Sequence, residues 1–302
     1  QAICLPQPPK AAFKLADAEG NELSASEGIR VPAGDFSAKI MVKVGQLNSK
    51  DFPDSKKYAI PLSITGASNY SLIPSQRSAI LLLNRSILSS VAKVSGGEGI
   101  RIKPVGMHTK AEWTIQMSAI YSSLTRSNLT TAYLSNGTGG EFYTRISSTA
   151  GIQVKNGRDG DDTWTQIPLQ AGKWLHITYV HKDKKTTVYV NGKVQKVFEN
   201  SAITFGENSM IVVGNSGYRN DYLREIRLWD KALTESEIND YLYLPMDPAT
   251  PHLISYLPLS KEMETKDLKA PAGTENVTTK ARIEYVENVK FPADELVIVN
   301  QE

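Results

Sequence analysis

The chain has 302 residues, enough for one large or two medium domains. Its 34 basic and 32 acidic residues leave a net charge of +2, which excludes the basic excess expected of a nucleic-acid binder. Hydrophobic residues make up 40%, an ordinary share for a chain with a real core, and no stretch reaches the ~18 apolar residues of a membrane span.

Cys4 is the single cysteine, so no internal disulfide forms. Its flank, Ala2-Ile3-Cys4-Leu5-Pro6, reads as a strand with a buried thiol. Gln1 is not an initiator methionine. The expectation is a processed or truncated chain whose upstream export signal has been removed, with a lipid anchor as one upstream option.

Short strands follow. Phe13–Leu15 is the first, and Glu19-Gly20-Asn21 is a turn. Phe36–Val44 alternates strictly, with Phe36, Ala38, Ile40, Val42 and Val44 on one face. Tyr58–Ile64 alternates too, but Pro61 removes an amide donor and predicts an edge strand or bulge. Ile80–Leu83 closes the unit, and strands at this spacing without helices predict a small β-sandwich. The stretch Tyr58-Ala59-Ile60-Pro61-Leu62-Ser63-Ile64, with its preceding strand and Ser78–Asn84, resembles the DUF1735-type domain of exported proteins from glycan-foraging Bacteroidetes. That resemblance implies an Ig-like accessory domain over 1–88, beside a glycan-active or glycan-binding module.

Arg85–Ser95 reads as the boundary, followed by a flexible break at Gly96-Gly97-Glu98-Gly99. The second domain, 89–302, then restarts the strand pattern at Ile100–Ile102. Glu112–Tyr121, Leu129–Leu134, Glu141–Ile146, Gly151–Lys155 and Thr163–Ile167 are the next predicted strands. Lys173–Phe198 is a three-stranded meander whose second turn, Asn191-Gly192, suits the positive φ a tight hairpin demands. Lys182–Lys185 is a solvated polar turn. Met210–Gly214 and Leu223–Trp229 are further strands. Thr234-Glu235-Ser236-Glu237 is a capping box opening one short helix, with Ile238, Tyr241 and Leu242 on its apolar face and Pro245 at its end. His252–Leu259, Val277–Val286 and Leu296–Val299 read as extended segments completing the same sandwich.

Four segments in order resemble the concanavalin-A-like, laminin-G-type domain. They are Trp174-Leu175-His176-Ile177, Val188-Tyr189-Val190-Asn191-Gly192, Met210–Gly214 and Ile226–Ile238. The resemblance implies a two-sheet jelly roll whose missing sheet comes from residues 100–155 and the C-terminus. The fold expectation is therefore all-β: an Ig-like sandwich followed by a concanavalin-A-like jelly roll with one short helix.

Catalytic signatures are weak. A glycosidase needs two carboxylates ~5–9 Å apart across the scissile bond. The E-x-D-x-x-E pattern is absent, and Glu225–Asp230 places its acids on opposite faces. The four histidines, His108, His176, His181 and His252, form no zinc spacing and accompany no nucleophile elbow. His176 reads as a core histidine bonded to a neighbouring strand. No phosphate-binding glycine loop precedes a helix. Five N-x-S/T sequons, at Asn69, Asn84, Asn128, Asn136 and Asn276, are incidental in a bacterial protein.

Binding signatures are richer. The loop 156–162 offers Asp159, Asp161 and Asp162 as hard oxygen ligands, a candidate calcium site whose alternative is a plain hydrophilic hairpin loop, and it lacks the spacing of an EF-hand. Sugar binding calls for aromatic faces beside polar groups. Two loops qualify: the acidic loop with Trp164, and Asn215–Tyr222 with Tyr218, Arg219, Asn220, Asp221 and Tyr222. Tyr133 and Tyr143 lie on strands that can line a concave face, while Trp113, Trp174 and Trp229 fall at core positions. The expected function is a non-enzymatic, exported, cell-surface glycan-binding protein of a bacterial glycan-utilisation system. Its alternatives are an adhesion or scaffold module that binds a protein, and a glycoside hydrolase with atypical carboxylates.

Overall fold

The structure, a computed structural model, describes residues 8, 12–24, 28–45, 47–48, 50–83, 86–97, 99–105, 111–125, 130–133, 142–155, 160–199, 209–214 and 218–300. The chain divides into two compact units, Gln1–Arg85 and Ser86–Glu302.

In the first unit, β1 (Phe13–Ala16) pairs antiparallel with β2 (Met41–Val44). Separately, β3 (Tyr58–Ser63) pairs with β4 (Ser78–Leu83), with Pro61 opposite Ile80. The described residues thus hold two separate two-stranded sheets. The long strand expected over Phe36–Val44 forms only in its last four residues, and Phe36 and Ile40 are exposed. The reason is the partner. The ladder ends at Ala16↔Met41, after which Asp17 accepts from the Asn21 amide (2.8 Å) and turns the chain. Residues 36–40 therefore have no β1 residue opposite them, and alternation without a partner makes no strand.

The second unit is a two-sheet sandwich. Its strands are β5 (Ile87–Gly96), β6 (Ile100–Ile102), β7 (Trp113–Ile120), β8 (Thr130–Tyr133), β9 (Phe142–Ser147) and β10 (Gly151–Lys155). The meander follows as β11 (Trp174–Lys182), β12 (Lys185–Val190) and β13 (Lys193–Glu199). Then come β14 (Met210–Val213), β15 (Tyr218–Trp229), helix α1 (Glu235–Asp240), β16 (Leu253–Leu257), β17 (Val277–Thr278) and β18 (Arg282–Phe291). One sheet runs β10-β9-β8-β14-β6-β17. The other runs β13-β12-β11-β7-β15-β5-β18, with β16 also paired to β15. The meander is thus one end of the larger sheet, and the C-terminal segment adds β16 and β18 to that sheet and β17 to the smaller one.

Two expected segments differ. The supposed boundary Arg85–Ser95 is mostly β5, an interior strand between β15 and β18. Ile87, Val91, Ala92 and Val94 on it are buried, while Leu88 is exposed. Thr163–Ile167 is not a strand: a 3-10 turn covers Asp161–Thr163, and only Trp164 makes a bridge, to Gln153. Gln166 takes a φ of 60°, which breaks an extended run.

The core lies between the sheets. Trp113 is fully buried there, stacked on His181 (5.2 Å) and edge-on to Phe142 (5.1 Å) of the opposite sheet. The outer face of the larger sheet is covered as well. The region of α1 packs Leu233 and Ile238 against Val180, Tyr189 and Trp229. Phe291 and Leu244 cover Ile120, Trp174 and Val91. This double cover explains why every residue of β7 is buried. The outward polar side chains of β7 are satisfied by the covering segment and by neighbouring strands. Thr114 donates to the Lys231 carbonyl (2.7 Å), and Gln116 accepts from the Trp229 indole (2.8 Å). Ser118 bonds the His176 imidazole (2.6 Å).

The capping box forms as expected. The Thr234 hydroxyl accepts from the Glu237 amide (3.3 Å), and the Glu237 carboxylate accepts from the Thr234 amide (2.9 Å). Thr234→Ala is expected to lower unfolding free energy by about 1 kcal/mol, read by urea denaturation.

A charged cluster is buried beneath the covering segment. Glu225 is 4% exposed and sits at a break in register between Arg224 and Arg227. Both arginines reach its carboxylate, and the Tyr256 hydroxyl lies 3.0 Å away. The guanidiniums also donate to backbone: Arg224 to Tyr243, Arg227 to Tyr241 and Leu244. Burial and the adjacent Glu225 carboxylate both push the Tyr256 phenol up. Asp230 lies at the end of β15 and pairs with His252 instead (2.9 Å). The two acids of Glu225–Asp230 therefore form no catalytic pair.

Burial holds the His181 imidazole down at about 4, against an ordinary 6.5. The unfolded chain binds this proton more readily than the folded one. Stability is thus complete above about pH 6.5 and falls as the pH drops toward 4. His181→Gln is expected to flatten that slope in urea unfolding measured across this range; an unchanged slope counts against the assignment.

Candidate functional site

The outer face of the six-stranded sheet carries the aromatic and polar side chains that can meet a ligand. On β9, Phe142, Thr144 and Ile146 are buried, so Tyr143, Arg145 and Ser147 point outward. On β10, Ile152 and Val154 join the core, so Gln153 and Lys155 point outward. Gln153 stands opposite Arg145, and Lys155 opposite Tyr143. The bridge from Gln153 to Trp164 extends the first row by one chain. Antiparallel partners share a face, so Trp164, Gln153 and Arg145 line up across the sheet. Tyr143 lies two residues from Arg145, about 7 Å along the strand.

The Arg145 guanidinium lies over the Tyr143 ring, 5.3 Å from its centre, and its Nε donates to the Tyr143 hydroxyl (3.2 Å). Tyr143, Arg145, Lys155 and Trp164 are all half-buried, while Gln153 is 1% exposed. The second row continues by backbone register from Tyr143 to Thr131, Val212, Arg101 and Thr278. Val212 is fully buried, so the middle of this face is covered. Among the described residues, the half-buried outward side chains gather at the β9–β10 end, around the buried Gln153.

Trp164 is held from both sheets. The Gln153 amide donates to the Thr163 hydroxyl (2.8 Å), which donates to the Gly160 carbonyl (2.6 Å). From β13, the Lys196 ammonium donates to the carbonyls of Asp162 (2.8 Å) and Trp164 (2.7 Å). A ring presented by a braced turn loses little freedom on binding.

The same bracing bears on calcium. Asp161 and Asp162 are exposed in the 3-10 turn, and Asp159 lies outside the described residues. Among the described residues, no three of His, Cys, Asp and Glu come together. The Lys196 ammonium already occupies two carbonyls of the turn.

The second expected loop is corrected. Tyr218–Tyr222 is the start of β15, paired with β5, because the β5 residues Lys93–Gly96 lie opposite it. Asp221 is fully buried and accepts from the Ser122 amide (2.9 Å), the Ser122 hydroxyl (3.1 Å) and the Arg219 amide (3.2 Å). Its carboxylate is committed to the fold. Arg219 and Asn220 are exposed, with Asn220 at a φ of 61° in a register shift. Tyr222 is half-buried and packs with Ile120 and Trp174 on the outer face of the larger sheet. Trp164 and Tyr222 therefore look out from opposite sides of a sandwich whose sheets lie about 10 Å apart. The structure does not bring the two aromatic loops together. It brings Trp164 together with Tyr143 and Arg145 instead.

His176, half-buried, is bonded to Ser118 of β7. Desolvation, then the charges of Arg224 and Arg227, pushes its imidazole well below the ordinary histidine range. It stays neutral and structural at neutral pH. No helix among the described residues is long and apolar enough to cross a membrane.

Comparison with known proteins agrees with this architecture. The search of curated proteins gives no match. A crystal structure from Bacteroides ovatus, provisionally named a carbohydrate binding protein, is similar over 96% of this chain and 82% of its own (17% identity, TM-score 0.55). A SAP-like pentraxin from Limulus polyphemus aligns over 66% of this chain and 94% of its own (13% identity, TM-score 0.43). Domain 4 of a GH43 arabinanase from Geobacillus stearothermophilus, solved with arabinotriose, aligns over 61% and 87% (17% identity, TM-score 0.36). At these identities the Bacteroides ovatus likeness speaks for fold alone. A family model described as the concanavalin A-like lectin/glucanases superfamily, of laminin-G type, matches residues 95–239. Those residues, with β5 before them and the C-terminal strands after them completing the two sheets, carry a concanavalin-A-like jelly-roll domain.

Proposed function

We propose that the second unit binds glycan, without cleaving it, on the outer face of its six-stranded sheet. The observation that carries this reading is the row Trp164–Gln153–Arg145 beside Tyr143. Aromatic faces there meet the C–H face of a sugar ring, and the flanking guanidinium and ammonium serve its oxygens. The lectin/glucanase-type fold of residues 95–239 supports the same reading. The described strand positions of this platform carry Tyr143, Arg145, Ser147, Gln153 and Lys155, a set that favours binding over cleavage.

Trp164→Ala and Tyr143→Ala are each expected to weaken oligosaccharide binding about tenfold, roughly 1.4 kcal/mol, with melting temperature little changed. Calorimetry with a glycan found on an array reads the loss, and EDTA is expected to leave it unaltered. An array without hits, together with capture of a protein partner that Trp164→Ala releases, would favour the adhesion reading.

The finer reading places this module on an exported bacterial surface protein of a glycan-utilisation system. The first unit, with its Tyr58–Ile64 motif, is then an Ig-like accessory domain. Protease shaving of intact cells tests the surface location: a protein untouched until lysis removes it.

A further inference from the structure

A cavity of about 290 Å³ opens on the outer face of the larger sheet, where the start of β5, the segment after α1, and β16 with its following turn converge. Its lining combines Leu88, Met246, Met263 and Leu268 with three serines. At its floor are the Glu225 carboxylate and the Tyr256 hydroxyl, and Glu262 stands at the mouth. No lysine or arginine is among the described residues that line it. It lies across the sandwich from Trp164 and is a separate place from the platform.

The chemistry of the floor restricts what can enter. Arg224, Arg227 and Tyr256 approach the Glu225 carboxylate. A carboxylate has about four lone-pair sites, so capacity for one more donor remains. Glu262 adds further acceptors. An occupant must bring O–H or N–H groups, and an anion finds no lysine or arginine on the described lining to pair with. The guanidiniums behind Glu225 offset its charge, so an occupant gains little by being a cation. The walls ask for a C–H face, and methionine side chains adapt to irregular shapes. A neutral ring with hydroxyls on its edge meets all these conditions. The volume sits at the lower end for ligand pockets, about 300 Å³ and upward, which suits one ring and not a chain of them.

We propose that this cavity is a second sugar site taking a single neutral monosaccharide unit, free or at a chain end. It rests on the glycan-binding reading of the domain and adds a site on the opposite outer face.

The test uses the full chain with methionine methyl groups labelled with carbon-13, the Met246 and Met263 signals being assigned from Met246→Leu and Met263→Leu. Glucose, galactose, mannose, arabinose and N-acetylglucosamine are titrated separately, with glucuronate as the anionic comparator. At least one neutral sugar is expected to shift both signals saturably, and glucuronate is not. Leu88→Trp, at a half-exposed wall position, is expected to abolish the shift, while Trp164→Ala leaves it intact. Methyl signals that stay fixed with every sugar overturn the proposal, even where oligosaccharide binding still responds to Trp164→Ala. An equal response to glucuronate, or a shift that vanishes with Trp164→Ala, overturns it too. Loss of the platform alone, with the methyl shift retained, is failure of the other reading and leaves this site standing.

Discussion

Glu225→Ala is expected to be among the most damaging single substitutions in the second unit, costing about 3–5 kcal/mol. The carboxylate is buried between Arg224 and Arg227, which are themselves 1% and 2% exposed. Removing it leaves two like charges side by side out of water. Neither arginine Nε has a hydrogen-bond partner, so the cluster has no reserve. The guanidiniums also hold the backbone of Tyr241, Tyr243 and Leu244. Loosening them frees the segment after α1 and uncovers Trp174 and Ile120. Glu225→Gln keeps the shape and loses the charge, so its cost falls between wild type and alanine. Urea unfolding at neutral pH measures the series. A loss below about 1 kcal/mol for alanine, the scale of a surface ion pair, would sink the idea that the cluster is a buried clasp.

Trp113→Ala is expected to cost a similar 3–5 kcal/mol for a different reason. No charge is exposed; a void opens. The indole is fully buried and touches Phe142, which comes from the other sheet and in turn packs edge-on to Tyr179 (5.1 Å). This aromatic chain spans the sandwich. A close-packed interior relaxes only partly around such a hole. Trp113→Phe retains most of the contact and should recover more than half of the loss. Thermal unfolding reads both, and a melting point unchanged in Trp113→Ala would place the tryptophan outside the core.

Part of the platform was legible before folding. The alternation of Phe142–Ile146 puts Tyr143 on the face opposite the core residues, and Trp164 is a lone aromatic beside an acidic loop. Arg145 and Gln153 were not legible as its companions. Their meeting depends on the register between β9 and β10 and on a single bridge to Trp164, and strand register is a property of pairs. The loop 215–222 misled because Asn, Gly, Asp and Arg there have turn-like composition. A break at Asn220 absorbs that composition within β15, and Ser122 takes up the Asp221 carboxylate. Glu225 could not be recognised as buried, since an isolated acid in a strand reads as solvent-facing until two arginines are known to face it.

Local chemistry was sufficient for most strands of the second unit, the Asn191-Gly192 turn and the capping box at Thr234. Each depends on residues within a few positions of one another, so the chain's own periodicity and turn chemistry decide them. Which strands pair, which face stays open and which carboxylates go underground depend on residues a hundred positions apart. Thr114 bonds at Lys231, and Ser122 at Asp221. Only the closed sandwich brings those groups together, because strand pairing and the covering segment after β15 join stretches that are far apart along the chain.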